Sequence, residues 1–266
     1  GDSSPIRIPG RPAAKYSSAF ARADDKYWVG GTDGLWTYSK GAPVAQNLLS
    51  NAAHERRIAS LLYAGDTLWI GTWRGLYVLN DPLSSDITIN QAPDAPALLQ
   101  DQFIATLFMD SEHQLWAGTS NAGLFVYRNN QQWRKVAVDA DQIGGRVEAI
   151  AGERNGYMFA STSNSIIAVN IMSLEVTDLV DEATAINRPF RRGAATMTDA
   201  GIMVFGGTNG LTLVSPDKVS MIKPLKRLKL TDLQITTADD LTLLPSTIQN
   251  ELLLPALVKR MSFEFT

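Results

Sequence analysis

The sequence predicts an all-β chain: β-propeller blades over residues 1–221, then the opening part of a β-sandwich over residues 222–266. Three observations carry this prediction. One short phrase occurs five times, it recurs at roughly the 40- to 50-residue period of a four-stranded blade, and its apolar runs alternate instead of following helical spacing. The pattern then stops after about Ser220 and a different one begins.

The phrase is an aromatic or apolar run, a small residue, a short polar turn, Gly-Leu, and a second alternating run. Its clear copies are Tyr27 to Trp36, Leu68 to Tyr77 and Leu115 to Phe125; weaker copies span Tyr157 to Ile167 and Met203 to Thr212. Taking the first small residue as the marker gives Gly30, Gly71, Gly118, Ala160 and Gly206. Upstream of each marker an apolar stretch rich in small residues suits the innermost strand, next to a crowded axis. The polar turn between the two runs is a hairpin: Asp24-Asp25, Gly65-Asp66, Asp110 to His113, Arg154-Asn155-Gly156 and Asp199-Ala200-Gly201. The marker glycine permits close approach of neighbouring blades. The later glycine (Gly34, Gly75, Gly123, Gly210) supplies the positive φ that the next hairpin demands. The fourth copy departs most, with Met158, Ala160 and Ser165 at the Trp, Gly and turn-Gly places, so one blade is specialised.

From Ile222 to Ile235 the chain alternates with basic outward positions, and the strand-like runs Leu241 to Pro245, Glu251 to Pro255 and Met261 to Thr266 follow without another Trp-Gly marker. The last run is strictly alternating and meets the end of the sequence, which leads to the expectation of a fragment whose sandwich is partial.

Bulk properties narrow the function. A net charge of −3 and the lack of a long basic run argue against nucleic acid as a partner. No stretch reaches the ~18 apolar residues of a transmembrane helix, so no membrane contact is expected of these residues. The absence of cysteine excludes disulfides, thiolate metal sites and cysteine nucleophiles.

Leu68-Trp69-Ile70-Gly71-Thr72, followed by Gly75-Leu76-Tyr77, resembles the two-component regulator propeller repeat almost letter for letter. The stretch from Leu225 to Thr266, with Leu230-Thr231-Asp232-Leu233-Gln234-Ile235 and Ser262-Phe263-Glu264-Phe265, is similar to the first half of the immunoglobulin-like triple-tyrosine domain that follows such propellers. The resemblance implies a seven-bladed ring, of which five repeats are visible here. It also implies the periplasmic sensor region of a bacterial transmembrane receptor whose output is a histidine kinase or a GGDEF-type diguanylate cyclase. The expectations that accompany it are a small-molecule ligand, a homodimer in the intact receptor, no cofactor, no metal and no catalysis in these residues.

The residues themselves offer a binding mouth. Arg57, Arg146 and Arg192 each stand fourteen residues before their marker, at the entry to the innermost strand, and repeat symmetry places them on one face. That entry shares its face with the turn between second and third strands, which carries Trp73, Arg74, Asn121 and Asn209. Such a polar, cationic mouth with an aromatic platform suits a carboxylate or an oligosaccharide. The competing reading has the arginines as rim residues paired with acids such as Glu55 and Glu148. His54, beside Glu55 and Arg57, completes the candidate set. It also supports a third possibility, a propeller lyase using histidine as base. A protein-interaction scaffold is the alternative that needs no small ligand.

Overall fold

The structure is a computed structural model that describes residues 17–39, 46–47, 57–84, 87–128, 132–136, 146–179, 187–217, 230–237, 242–243 and 258–265. His54, Glu55 and Lys15 lie outside the described residues. The chain divides into two compact units, Gly1–Ile222 and Lys223–Thr266.

The first unit holds five antiparallel sheets in propeller arrangement. Blade one contains β1 (Ser17–Ala23), β2 (Lys26–Gly31), β3 (Gly34–Ser39) and β4 (Gln46–Asn47). Blade two contains β5 (Ile58–Ala64), β6 (Thr67–Thr72), β7 (Gly75–Asn80) and β8 (Ile89–Gln91). A single helical turn, α1 (Ala97–Gln100), leads to blade three: β9 (Ile104–Met109), β10 (Leu115–Thr119), β11 (Leu124–Arg128) and β12 (Gln132–Lys135). Blade four is β13 (Val147–Arg154), β14 (Tyr157–Thr162), β15 (Ile166–Asn170) and β16 (Val176–Asp178); blade five is β17 (Phe190–Met197), β18 (Met203–Gly207) and β19 (Leu211–Val214). Within each blade the strands follow chain order. The innermost strands β1, β5, β9, β13 and β17 stand side by side in the same succession.

The core lies between blades. Trp28 and Leu35 of blade one pack with Ile58, Leu68, Ile70 and Leu79 of blade two. Trp69, Leu76 and Val78 then meet Ile104, Leu115, Ala117 and Phe125, and Trp116, Leu124 and Val126 meet Val147, Met158, Ala160 and Ile167. Phe159, Ile166 and Ala168 meet Phe190, Met203 and Phe205. Strand alternation sends one set of side chains forward and the other back, so among the described residues blades two, three and four each take part in two interfaces. Burying such a side chain contributes about 1.5–3 kcal/mol.

The glycines act as the sequence predicts. Gly34, Gly75 and Gly123 have φ of 105°, 108° and 89°, in the region closed to most side chains. A Cβ on Gly118 would stand 2.6 Å from Thr106 Cγ2 and 2.7 Å from Val147 Cγ1 of the next blade, closer than atoms pack. The threonine after the marker has its own task. Thr72 and Thr119 donate their hydroxyls to the carbonyls of Gly75 and Gly123 at 2.9 and 2.8 Å, and accept the N–H groups of Arg74 and Ala122 at 3.0 and 2.9 Å. Both are fully buried, so the side chain satisfies turn groups that have no water.

The marker of blade four requires correction. Gly30, Gly71, Gly118 and Gly206 pair with Leu35, Leu76, Leu124 and Leu211; in blade four the residue opposite Ile166 is Ser161, while Ala160 faces Ile167. Phe159, opposite Ala168, therefore takes the tryptophan place in this blade, and Met158 points to the previous one. Thr162 behaves as Thr72 and Thr119 do, accepting the Ser165 N–H at 2.9 Å, which confirms the shift by one. A one-residue slip exchanges the two faces of a strand, and an unbroken apolar run such as Tyr157-Met158-Phe159-Ala160 gives no alternation by which to detect it.

The second unit contains β20 (Leu230–Thr237), paired antiparallel with β21 (Thr242–Leu243) on one side and β22 (Val258–Phe265) on the other.

Candidate functional site

Each innermost strand begins with a bulge. Ser17 pairs with Gly31 and Ala19 with Gly30, leaving Ser18 over; Ala59, Ala105 and Glu148 are left over in the same way in blades two, three and four. In blade five the irregularity is larger. Phe190 pairs with Gly207 and the next partner is Ala195 with Phe205, so Arg191-Arg192-Gly193-Ala194 leave the ladder, with Gly193 at φ 65°. Bulges re-aim side chains, and here they aim them at the axis. Ser18, Ala59, Ala105, Arg192 and Gly193 all line one cavity of about 530 Å³, within the span of about 300–1,000 Å³ common for ligand pockets.

The other lining residues are Thr32, Arg57, Ile58, Trp73 and Phe103. Four of the ten form a run of stacked groups. The Arg57 guanidinium lies 4.7 Å from the centre of the Trp73 ring, Trp73 is 5.4 Å from Phe103, and the Arg192 guanidinium lies 4.2 Å from Phe103. Backbone bonds hold the rings in place: Trp73 N–H donates to the Arg57 carbonyl at 3.0 Å, and Ser120 N–H to that of Phe103 at 3.0 Å. Trp73 remains 45% exposed, so much of its indole is available at the mouth.

Behind Arg192 stands Glu148. This carboxylate is buried, accepts the Ser163 hydroxyl at 2.9 Å, and lies 3.6 Å from Arg146 and 3.8 Å from Arg192. Both distances exceed a hydrogen bond, so the pairing is Coulombic, and among the described residues the guanidinium N–H groups stay uncommitted. Loss of water pulls the Arg192 pKa below its ordinary value, and Arg146 acts in the same sense while Glu148 opposes them.

The structure sorts the candidates. Arg57, Trp73 and Arg192 share the cavity. Arg146 does not line it and joins only through Glu148, as the rim-pairing reading expected. Arg74 pairs with Asp101 at 3.0 Å, exposed Asn121 and Asn209 are not among the lining residues, and His54 lies outside the described residues. The supposed equivalence of the three arginines also needs correction. The residue before the first paired position is Arg57 in blade two, Phe103 in blade three, Arg146 in blade four and Pro189 in blade five. Counting back from the marker assumes strands without insertions. The blade-five bulge breaks that assumption, and the same bulge carries Arg192 inward to reach Phe103 of blade three.

Phe103, Ser18, Thr32 and Gly193 escaped sequence reasoning. Phe103 had a signal: it is a large aromatic directly before an innermost strand, at a place where blades two and four carry arginine.

No family model matches the chain, and no curated protein matches it. Among solved structures it is similar to the extracellular domain of a protein described as a one component system of B. thetaiotaomicron (16% identity, TM-score 0.60, covering 88% of this chain and 33% of that one). A second structure, an extracellular domain described as part of a hybrid two component system of B. thetaiotaomicron, gives 17% identity and a TM-score of 0.59 over 85% of this chain and 29% of that one. Virginiamycin B lyase from Staphylococcus aureus gives 12% identity and 0.56, covering 88% and 85%. The chain thus spans about a third of the length of the chains in the two B. thetaiotaomicron structures. At these identities the likeness establishes the fold: this is a chain of β-propeller blades.

Proposed function

We propose that the chain is a ligand-sensing region of a bacterial transmembrane signalling receptor, placed outside the cytoplasm, with the axial cavity as its binding site. The observation that carries this reading is the cavity itself. It is open, its size suits a small molecule, and it sets two guanidinium groups, whose donors no described residue occupies, beside two aromatic rings. The extracellular domains among the similar structures support the receptor setting. In this proposal residues 222–266 open an immunoglobulin-like triple-tyrosine domain, and the intact receptor works as a homodimer without catalysis by these residues. Ligand must bind one arrangement of the propeller more tightly than another for occupancy to bias an output.

A thermal-shift screen against mono- and oligosaccharides, uronates, amino acids and short peptides tests it, since a ligand that binds only the folded state raises Tm by mass action. A hit abolished by Arg57→Gln or Arg192→Gln sustains the site. Absence of any hit from folded protein would count against sensing.

A second reading, an interaction scaffold, is favoured by one observation: Leu211 and Leu213 on blade five are 64% and 65% exposed. A self-association that persists without ligand and is lost in Leu211→Ser/Leu213→Ser would favour it.

A further inference from the structure

Accepting the axial cavity as the ligand site, we infer that its ligand is an anion of one kind: a carboxylate borne on a ring. The argument is a charge and donor count. Arg57 and Arg192 line the cavity, and among the described residues no carboxylate does. Among the described residues no acid pairs with Arg57. Arg192 shares the single carboxylate of Glu148 with Arg146, so among the described residues Arg57, Arg146 and Arg192 stand against the one anion Glu148. The other acids nearby are already engaged: Asp101 with Arg74 at 3.0 Å, and Asp33, beside lining Thr32, with a partner of its own.

The donors point the same way. A guanidinium presents five N–H groups in a planar fork that matches the two oxygens of a carboxylate. Glu148 stands too far from Arg192 to accept a hydrogen bond, so it neutralises and orients the group without consuming its donors. Glu148 is a positioning residue: buried and fixed by Ser163, it restrains Arg192 in place over Phe103. A carboxylate entering the cavity supplies acceptors that Arg192 and Arg57 do not find among the described residues.

The ring requirement comes from the remaining lining. Trp73, Phe103, Ile58, Ala59 and Ala105 give the cavity an aromatic and aliphatic wall, and only Ser18 and Thr32 contribute neutral polar groups from side chains. A neutral ligand with many hydroxyls would leave most of them unmatched, with no charge on the arginines to offset the cost of each one buried. A ring edge or face on Trp73, with its charge toward the arginines, matches the rings and the guanidinium groups of the lining. The ring can be a puckered sugar acid or a flat aromatic acid, since both present a face to indole.

Isothermal titration separates these cases with four probes: sodium glucuronate, sodium benzoate, glucose and acetate, each at low and at physiological salt. We expect one or both ring carboxylates to bind at least tenfold more tightly than glucose and acetate, and more weakly as salt rises. Glucuronate alone would identify a sugar acid, and benzoate alone an aromatic acid. Arg57→Gln and Arg192→Gln should each weaken binding tenfold or more, and Arg57→Lys, which keeps charge but loses the fork, should weaken it too. Arg74→Gln, outside the lining, should leave it unchanged. Circular dichroism of each variant verifies folding.

Glucose binding as tightly as glucuronate would overturn the carboxylate assignment and leave the sensing role standing. Acetate binding as tightly as both rings would overturn the ring. Undiminished binding in folded Arg57→Gln and Arg192→Gln would overturn the site, and no binding by any probe would overturn the ligand class; a hit from the wider screen would then show that sensing survives it.

Discussion

Blades four and five carry the same three positions in the same register and treat them oppositely. Phe159, Ile166 and Ala168 of blade four are completely buried, whereas at the matching places in blade five Val204 is half-buried and Leu211 and Leu213 are 64% and 65% exposed. The pattern along the strand is the same in both. What differs is the neighbour: Phe190, Met203 and Phe205 of blade five cover blade four, and among the described residues nothing covers blade five in that way. An apolar face shows that a strand is built to be covered, and the cover itself comes from another element. One sheet's amphipathic pattern therefore contributes stability only where the next sheet arrives.

That comparison can be broken by mutation. The largest loss is expected from Phe159→Ala, about 3–5 kcal/mol, because an aromatic side chain with no exposure leaves a cavity in the blade-four to blade-five core. Denaturant unfolding monitored by fluorescence and circular dichroism measures it, and a loss below about 1 kcal/mol would mean that this interface is loose in solution. Ile166→Ala should follow at about 2–5 kcal/mol by the same mechanism.

Gly118→Ala comes next, at about 1–3 kcal/mol, since its Cβ would collide with Thr106 and Val147. The equivalent place in blade four already carries a side chain. Ser161 is buried and its hydroxyl has no hydrogen-bond partner, so Ser161→Ala should be neutral or stabilising by up to about 1 kcal/mol. Opposite signs for these two substitutions would confirm that the marker has moved from glycine to serine; equal losses would refute the reassigned register.

The smallest effect is reserved for Leu211→Ala, within about 0.5 kcal/mol as for an exposed surface position. A loss matching that of Ile166→Ala would show that the blade-five face is covered in solution after all.

Much of the fold was legible in the residues. The period, the hairpin turns and the positive-φ glycines follow from local chemistry: a short turn bearing Gly, Asp or Asn, or a Gly-Leu strand start, has the same meaning in each copy that carries it. Where a copy lost its alternation, as in Tyr157-Met158-Phe159-Ala160, the register read from sequence slipped by one and exchanged the two faces. The site was legible only in part. Arg57 and Trp73 were found because each sits at a regular place in its repeat. Arg192 was found by an offset that the strand pairing does not support, and Phe103 was passed over.

The sequence by itself determined the blade, because spacing, turns and alternation are properties of forty or so consecutive residues. Only the tertiary structure decided the cavity. The bulges that turn Ser18, Ala59, Ala105 and Arg192 toward the axis depend on which residue pairs with which, and that is settled between strands. Glu148 was nameable in sequence as a partner for arginine. That one buried carboxylate serves Arg146 of its own blade and Arg192 of the next is a fact of blade packing, where distance along the chain no longer measures distance in space.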